Sequence, residues 1–363
     1  TFGGAISGGT IFDITKAGAG TLVYNGNTTM TEERTANVTT GTLALGGNVT
    51  GGYGITVNGP VTLSFRGATG NAAASTITAN PGASLTFDSS TAGVTGTTRA
   101  GSVNLKGASL NLLGNVTANS VDIITGALSV NAPSTYGTPG ADTVTLTPNT
   151  ATNTRLSAGS LARVNNGAVF FRGTSLGANT IASNTVNTSN IEFTSAPTAQ
   201  LVGGAGGTGD KNISIIPWAV GATTTNGAPS SFVTYDGNGI RPLAVGEYDT
   251  SIPAAASTNN VKLSGATPVT ANGATTINSL FLNNAASSST VLAGTGALTV
   301  TSGAVYADFS LGGNSNALTI SKPVDFGAAE GVIGTMATSS SKPWPSRAGS
   351  AAAAELRSMM RTG

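Results

Sequence analysis

Through the first half of the chain, apolar residues alternate with Thr, Ser, Ala and Asn at a period of two, the spacing of a half-buried strand. Each run opens on a glycine. Gly20-Thr21-Leu22-Val23-Tyr24, Gly41-Thr42-Leu43-Ala44-Leu45, Gly59-Pro60-Val61-Thr62-Leu63-Ser64-Phe65, Gly82-Ala83-Ser84-Leu85-Thr86-Phe87, Gly107-Ala108-Ser109-Leu110-Asn111-Leu112 and Gly126-Ala127-Leu128-Ser129-Val130 share this form and recur about every 20 residues. A second short strand falls between most of them, as in Gly54-Ile55-Thr56-Val57, Ser75-Thr76-Ile77-Thr78, Ser102-Val103-Asn104-Leu105 and Asn119-Ser120-Val121-Asp122-Ile123.

Each such strand offers two or three inward side chains, too few for an independent sheet. Stacking successive units at about 4.8 Å would pair every backbone group with the unit above and below and line up Leu, Val, Ile and Phe as interior columns. The pattern therefore predicts an all-β fold, a parallel β-helix or solenoid, with Gly and Asn at positive-φ corners. An antiparallel sandwich or propeller is the competing architecture. Its hairpin signature is weak, because Asn25-Gly26, Asn58-Gly59, Asn166-Gly167 and Asn272-Gly273 lack matched flanking strands.

Regularity divides the chain into four parts: regular units over 1–150, units with longer loop excursions over 151–260, regular units again over 261–326, and a tail over 327–363. The excursions contain Ile213-Ser214-Ile215-Ile216-Pro217-Trp218-Ala219-Val220, Ser231-Phe232-Val233-Thr234-Tyr235 and a glycine-rich loop from Gly203 to Gly209. Alternation returns in Val261-Lys262-Leu263, Thr276-Ile277-Asn278-Ser279-Leu280-Phe281-Leu282, Gly296-Ala297-Leu298-Thr299-Val300 and Ala317-Leu318-Thr319-Ile320, and is expected to stop after Phe326. The tail combines a Ser run, Pro343-Trp344-Pro345 and a helix-favouring stretch from Ala351 to Arg361, reading as disorder or one short capping helix.

Composition removes whole classes of chemistry. The 363 residues include no His and no Cys, so imidazole or thiolate catalysis, His or Cys metal sites and disulfides are excluded. The 16 Lys and Arg and 15 Asp and Glu nearly cancel and are scattered singly, which predicts no nucleic-acid partner. No stretch approaches the roughly 18 apolar residues of a membrane helix, so no membrane span is expected. No cofactor or metal is implied: the Gly203 to Asp210 run supplies one carboxylate where calcium needs six or more oxygens.

The segment Ile14-Thr15-Lys16-Ala17-Gly18-Ala19-Gly20-Thr21-Leu22, followed by Val38-Thr39-Thr40-Gly41-Thr42-Leu43-Ala44-Leu45, resembles the passenger-associated repeat of autotransporter-like bacterial surface proteins. The match is fairly specific over the first 45 residues and degenerate beyond them. This resemblance implies a right-handed β-helix, secreted and displayed at the cell surface, in a structural or adhesive role. The membrane barrel that defines a true autotransporter has no counterpart in the sequence.

Two functional readings follow. The first is a non-enzymatic extracellular structural or adhesive protein; because Thr1 enters the pattern almost at once and no polar N-terminal cap is evident, it would self-associate end to end or laterally. The alternative is a polysaccharide-binding or polysaccharide-cleaving β-helix with surface glycans as partners. Charge and aromatics concentrate only at Tyr235, Asp236, Arg241, Glu247, Tyr248 and Asp249, so these are its contact residues, weighed against a structural ion pair; no catalytic residue is assigned. Glu32-Glu33-Arg34 reads as a solvated loop, and Trp218 as core rather than a sugar platform.

Overall fold

The computed structural model describes residues 3–4, 10–132, 141–183, 185–252, 257–264, 269–283, 291–308 and 319–336. Those residues are all-β, with short, mostly parallel strands in several sheets and no α-helix. The larger sheet begins with eight strands in parallel: Thr21–Tyr24, Thr42–Leu45, Thr62–Arg66, Ser84–Asp88, Ser109–Leu113, Ala141–Thr147, Ala168–Gly173 and Ala219–Ala222. A second sheet orders Arg34–Thr35, Ile55–Val57, Ala72–Ala79, Gly96–Lys106, Ser120–Asn131, Thr154–Val164 and Ser189–Phe193, again all parallel. The chain thus crosses between two sheets in alternation, each strand pairing with the next member of its own sheet.

Register explains the repeat chemistry. In the larger sheet Leu22, Leu43, Leu63, Leu85, Leu110, Val144 and Phe171 lie on consecutive strands at one position, buried from Leu43 onward. The neighbouring outward position carries Thr21, Thr42, Thr62, Ser84, Ser109 and Thr143. Ile55, Ile77, Val103, Leu128 and Leu161 form the buried column of the second sheet, in one core cluster with the column from Leu43 to Phe171. Each buried aliphatic side chain contributes roughly 1.5 to 3 kcal/mol relative to exposure. The Gly126 to Val130 run, grouped by its sequence with the larger sheet, instead lies in the second one. It continues the strand through Val121 to Ile123 into a single element, Ser120–Asn131.

At Gly41, φ is +78 and a Cβ would lie 2.5 Å from the Gly20 carbonyl oxygen, so the corner tolerates no side chain. Before the first strand, a short 3-10 turn, Ile11–Asp13, buries Ile11 and Phe12.

Parallel pairing of the larger sheet ends at Ala219–Ala222. Ser231–Asp236 joins that edge antiparallel, through Val220 opposite Phe232, and Gly239–Pro242 folds back on it as a hairpin. Beyond the hairpin, residues 260–336 build three further parallel sheets. Their strands are Asn260–Ser264, Ser279–Asn283, Ala304–Asp308 and Val332–Met336; Val269–Thr270, Val291–Ala293 and Thr319–Ile320; and Thr275–Ile277, Leu298–Val300 and Val324–Asp325.

Two details of this region differ from the sequence expectation. The Thr276 to Leu282 run is two strands in different sheets, split at Asn278, which is buried and donates to Asn260 Oδ1 at 2.8 Å. A strand also forms past Phe326, at Val332–Met336. Its central Gly334 lets the Tyr306 ring approach, since a Cβ there would lie 2.6 Å from a ring carbon. The disordered or helical tail expected over the remaining residues, 337–363, lies outside the described residues.

Candidate functional site

The six charged and aromatic residues singled out in the sequence sit in and around the hairpin. Asp236 opposes Gly239 and Thr234 opposes Arg241. The Asp236 carboxylate sets the turn by accepting from the Asn238 N–H at 2.9 Å, the usual local bond of an Asx turn. Gly239 has φ +87, and a Cβ there would lie 2.2 Å from the Ile191 carbonyl oxygen, so the turn can press against the last strand of the second sheet.

Arg241 lies between two carboxylates. Its Nε donates to Asp236 Oδ2 at 2.5 Å, while Nη1 and Nη2 donate to Glu247 Oε2 and Oε1 at 2.7 and 2.8 Å, the bidentate arrangement that a planar guanidinium favours. Glu247, 1% exposed, also accepts from the Ala244 N–H at 2.7 Å and the Gly209 N–H at 2.8 Å. Each Glu247 oxygen therefore receives two hydrogen bonds. Burial works to raise the pKa of Glu247, but the Arg241 guanidinium and the two backbone donors hold it below the ordinary carboxylate range. Burial opposes the charge on Arg241, and the hydrogen bonds and charges of both carboxylates outweigh it and raise its pKa.

The other three residues make separate contacts. Tyr235 Oη accepts from the Phe193 N–H at 3.1 Å and donates to the Phe193 carbonyl at 3.2 Å, covering the outer edge of Ser189–Phe193. Tyr248 Oη shares a 2.8 Å hydrogen bond with Ser231 Oγ and accepts from the Phe232 N–H at 2.9 Å; burial raises its pKa. Asp249 accepts from Lys211 Nζ at 2.5 Å and from Asn259 Nδ2 at 2.8 Å, and these partners hold its pKa low despite the opposing effect of burial. The structure thus unites Asp236, Arg241 and Glu247 in one network and gives Tyr235, Tyr248 and Asp249 anchoring contacts around it. What this arrangement does physically is fasten an antiparallel hairpin across the end of two parallel sheets. It also fixes the glycine-rich loop, whose Gly209 N–H is held by Glu247.

Sequence reasoning passed over a second charged cluster, inside the core. Arg99, 0% exposed, places all five N–H groups: Nε on Asp122 Oδ1 at 2.7 Å, Nη1 on the carbonyls of Gly67 and Gly70, and Nη2 on the Asp88 carbonyl and Ser89 Oγ. Burial raises the pKa of Asp122 against the opposing charge of Arg99. Asp142 is also fully buried, accepting from the Ala108 and Asn131 N–H groups at 2.9 and 3.1 Å; burial pushes it up to about 7. The sequence carried no signal for it: in Val121-Asp122-Ile123 alternation calls for the two apolar residues inward, whereas the strand buries Ser120, Asp122 and Ile124.

Elsewhere, Arg34 pairs with Glu32 at 2.8 Å and Asp13 at 3.3 Å, and Trp218 is 5% exposed, consistent with a core assignment. Among the described residues, no three Asp, Glu, His or Cys side chains converge to hold a metal ion, and no helix is long and apolar enough to cross a membrane. No family model, curated protein or solved structure matches this chain.

Proposed function

We propose that the chain is a right-handed parallel β-helix acting as a non-enzymatic structural or adhesive protein outside the bacterial cell, able to assemble into a filament or matrix fibre. The observation that carries this reading is the unbroken column from Leu22 to Phe171, repeated at one register position on seven consecutive parallel strands. Such a stack is stiff because load is shared among backbone hydrogen bonds and a close-packed apolar interior, and its outward face carries Thr and Ser rather than charge. The resemblance of Ile14 to Leu45 to the passenger-associated repeat supports the extracellular placement. The Asp236, Arg241 and Glu247 network supports a scaffolding role for the segment once considered for glycans, because each Glu247 oxygen is already held by two donors.

Cryo-electron microscopy of the purified full chain tests the assembly, and surface labelling of the producing cells tests the location. Filaments with parallel strands continuing across subunit boundaries, and label outside the cell, are the expected results. Monodisperse particles at high concentration that depolymerise an acidic polysaccharide, with the activity lost in Arg241→Ala, would overturn the proposal in favour of a polysaccharide-processing protein.

A further inference from the structure

The region after the hairpin meets the earlier parallel sheets along a cleft of about 250 Å³. One wall comes from Arg163, Gln200 and Trp218, the other from Thr301 and Glu330. Arg163 and Glu330, 167 residues apart, form a bidentate pair across it, with Nη1 on Oε2 at 2.6 Å and Nη2 on Oε1 at 3.1 Å. A further bond from Arg163 Nε to the Gly167 carbonyl at 2.8 Å fixes the guanidinium, which stands 5.6 Å from the centre of the Trp218 ring. Two polar groups in this wall have no hydrogen-bond partner among the described residues: the Trp218 indole N–H and the Gln200 side-chain amide.

We propose that this cleft binds one ring of a neutral saccharide. Its volume falls below the roughly 300 to 1,000 Å³ of pockets for drug-sized ligands, which suits a single pyranose unit at a chain end or branch. A guanidinium locked against a carboxylate presents adjacent donors and acceptors, the complement of two vicinal hydroxyl groups, while the Gln200 amide and the indole N–H supply further bonds. The charges of Arg163 and Glu330 cancel, which favours an uncharged sugar over an acidic one. This site lies apart from the hairpin network, and its occupancy does not depend on the architecture or location proposed above.

The test uses the full chain carrying Trp344→Phe, which leaves Trp218 as the sole tryptophan. Cellotetraose, chitotetraose and mannotetraose are titrated separately while Trp218 emission is followed. At least one should give a saturable change whose midpoint rises about tenfold or more in Gln200→Ala, whose side chain makes no hydrogen bond among the described residues, and likewise in Glu330→Gln. Glu32→Gln, on the distant N-terminal loop, should leave the titration unchanged. Urea midpoints of each variant separate lost binding from lost folding. No saturable change with any of the three sugars up to about 10 mM, or binding indifferent to Gln200→Ala, overturns the proposal.

Discussion

Arg241 and Glu247 meet through two parallel hydrogen bonds of 2.7 and 2.8 Å, with the Glu247 side chain 1% exposed, and this contact ties the closing hairpin to the segment that follows it. Removing one partner of such a pair leaves a desolvated charge. Glu247→Ala should cost about 3 to 5 kcal/mol in urea unfolding, since the Ala244 and Gly209 N–H groups lose their acceptor as well. The same contact sets an acid limit. With the folded pKa of Glu247 depressed, its stabilisation is complete above the ordinary carboxylate range and disappears as pH falls through the depressed value. Acid titration followed by circular dichroism should therefore show wild type losing more of its neutral-pH stability on acidification than Glu247→Gln, whose amide takes up no proton.

Asp142 has the opposite sign. Its folded pKa, about 7, lies above the unfolded value of 3.8, so its stabilisation is complete below about pH 4 and declines as pH rises to 7. The full difference is on the order of 4 kcal/mol. Urea midpoints measured at pH 4.5 and 7.5 should fall with pH in the wild type, and should fall less in Asp142→Asn.

Arg99 is fully enclosed by the core. Arg99→Leu should destabilise the chain by about 3 to 5 kcal/mol at pH 7, because Asp122 is left buried without its cation and three carbonyls lose a donor. Adding Asp122→Leu removes the orphaned carboxylate and should restore part of that loss. A double variant no more stable than the single one at pH 7 would show that the carbonyl contacts, and not the ion pair, carry the effect.

Lys322, 2% exposed, donates to the carbonyls of Ala271, Gly273 and Thr295 at 2.8, 2.6 and 2.8 Å, joining corners of successive strands with all three ammonium protons. Lys322→Met should cost about 2 to 3 kcal/mol. Hydrogen exchange should report the change as faster amide exchange around residues 269–300, with little effect near residues 42–113.

Much of the strand order was legible because period-two alternation and glycine corners are local signals. Leu43, Leu63, Leu85 and Leu110 could be aligned by eye, and the structure stacks them. What alternation cannot specify is which sheet receives a strand. Ser120–Asn131 merged two predicted strands because Thr125 and Gly126 continue the extended backbone through a bulge, a register shift visible only against its neighbours. The turn at Ile11–Asp13 was missed because Ile11 and Phe12 act through burial in a single turn and carry no period. At the hairpin, the clustering of Asp236, Arg241 and Glu247 was evident from spacing. Their mutual saturation was not, since the Gly209 donor comes from a loop 38 residues away.

The reversal of strand direction at Ser231–Asp236 also separates repetition from closure within the larger sheet. Each added unit in the preceding sheets would meet the same neighbours, Leu on Leu and Thr on Thr, while the Tyr235 contact with Phe193 and the Arg241 clamp would see only the last strands of those two sheets. Duplicating a segment such as residues 41–82 would lengthen the molecule without requiring a new ending. The number of strands in those two sheets is therefore a dimension that copying could change without touching the hairpin.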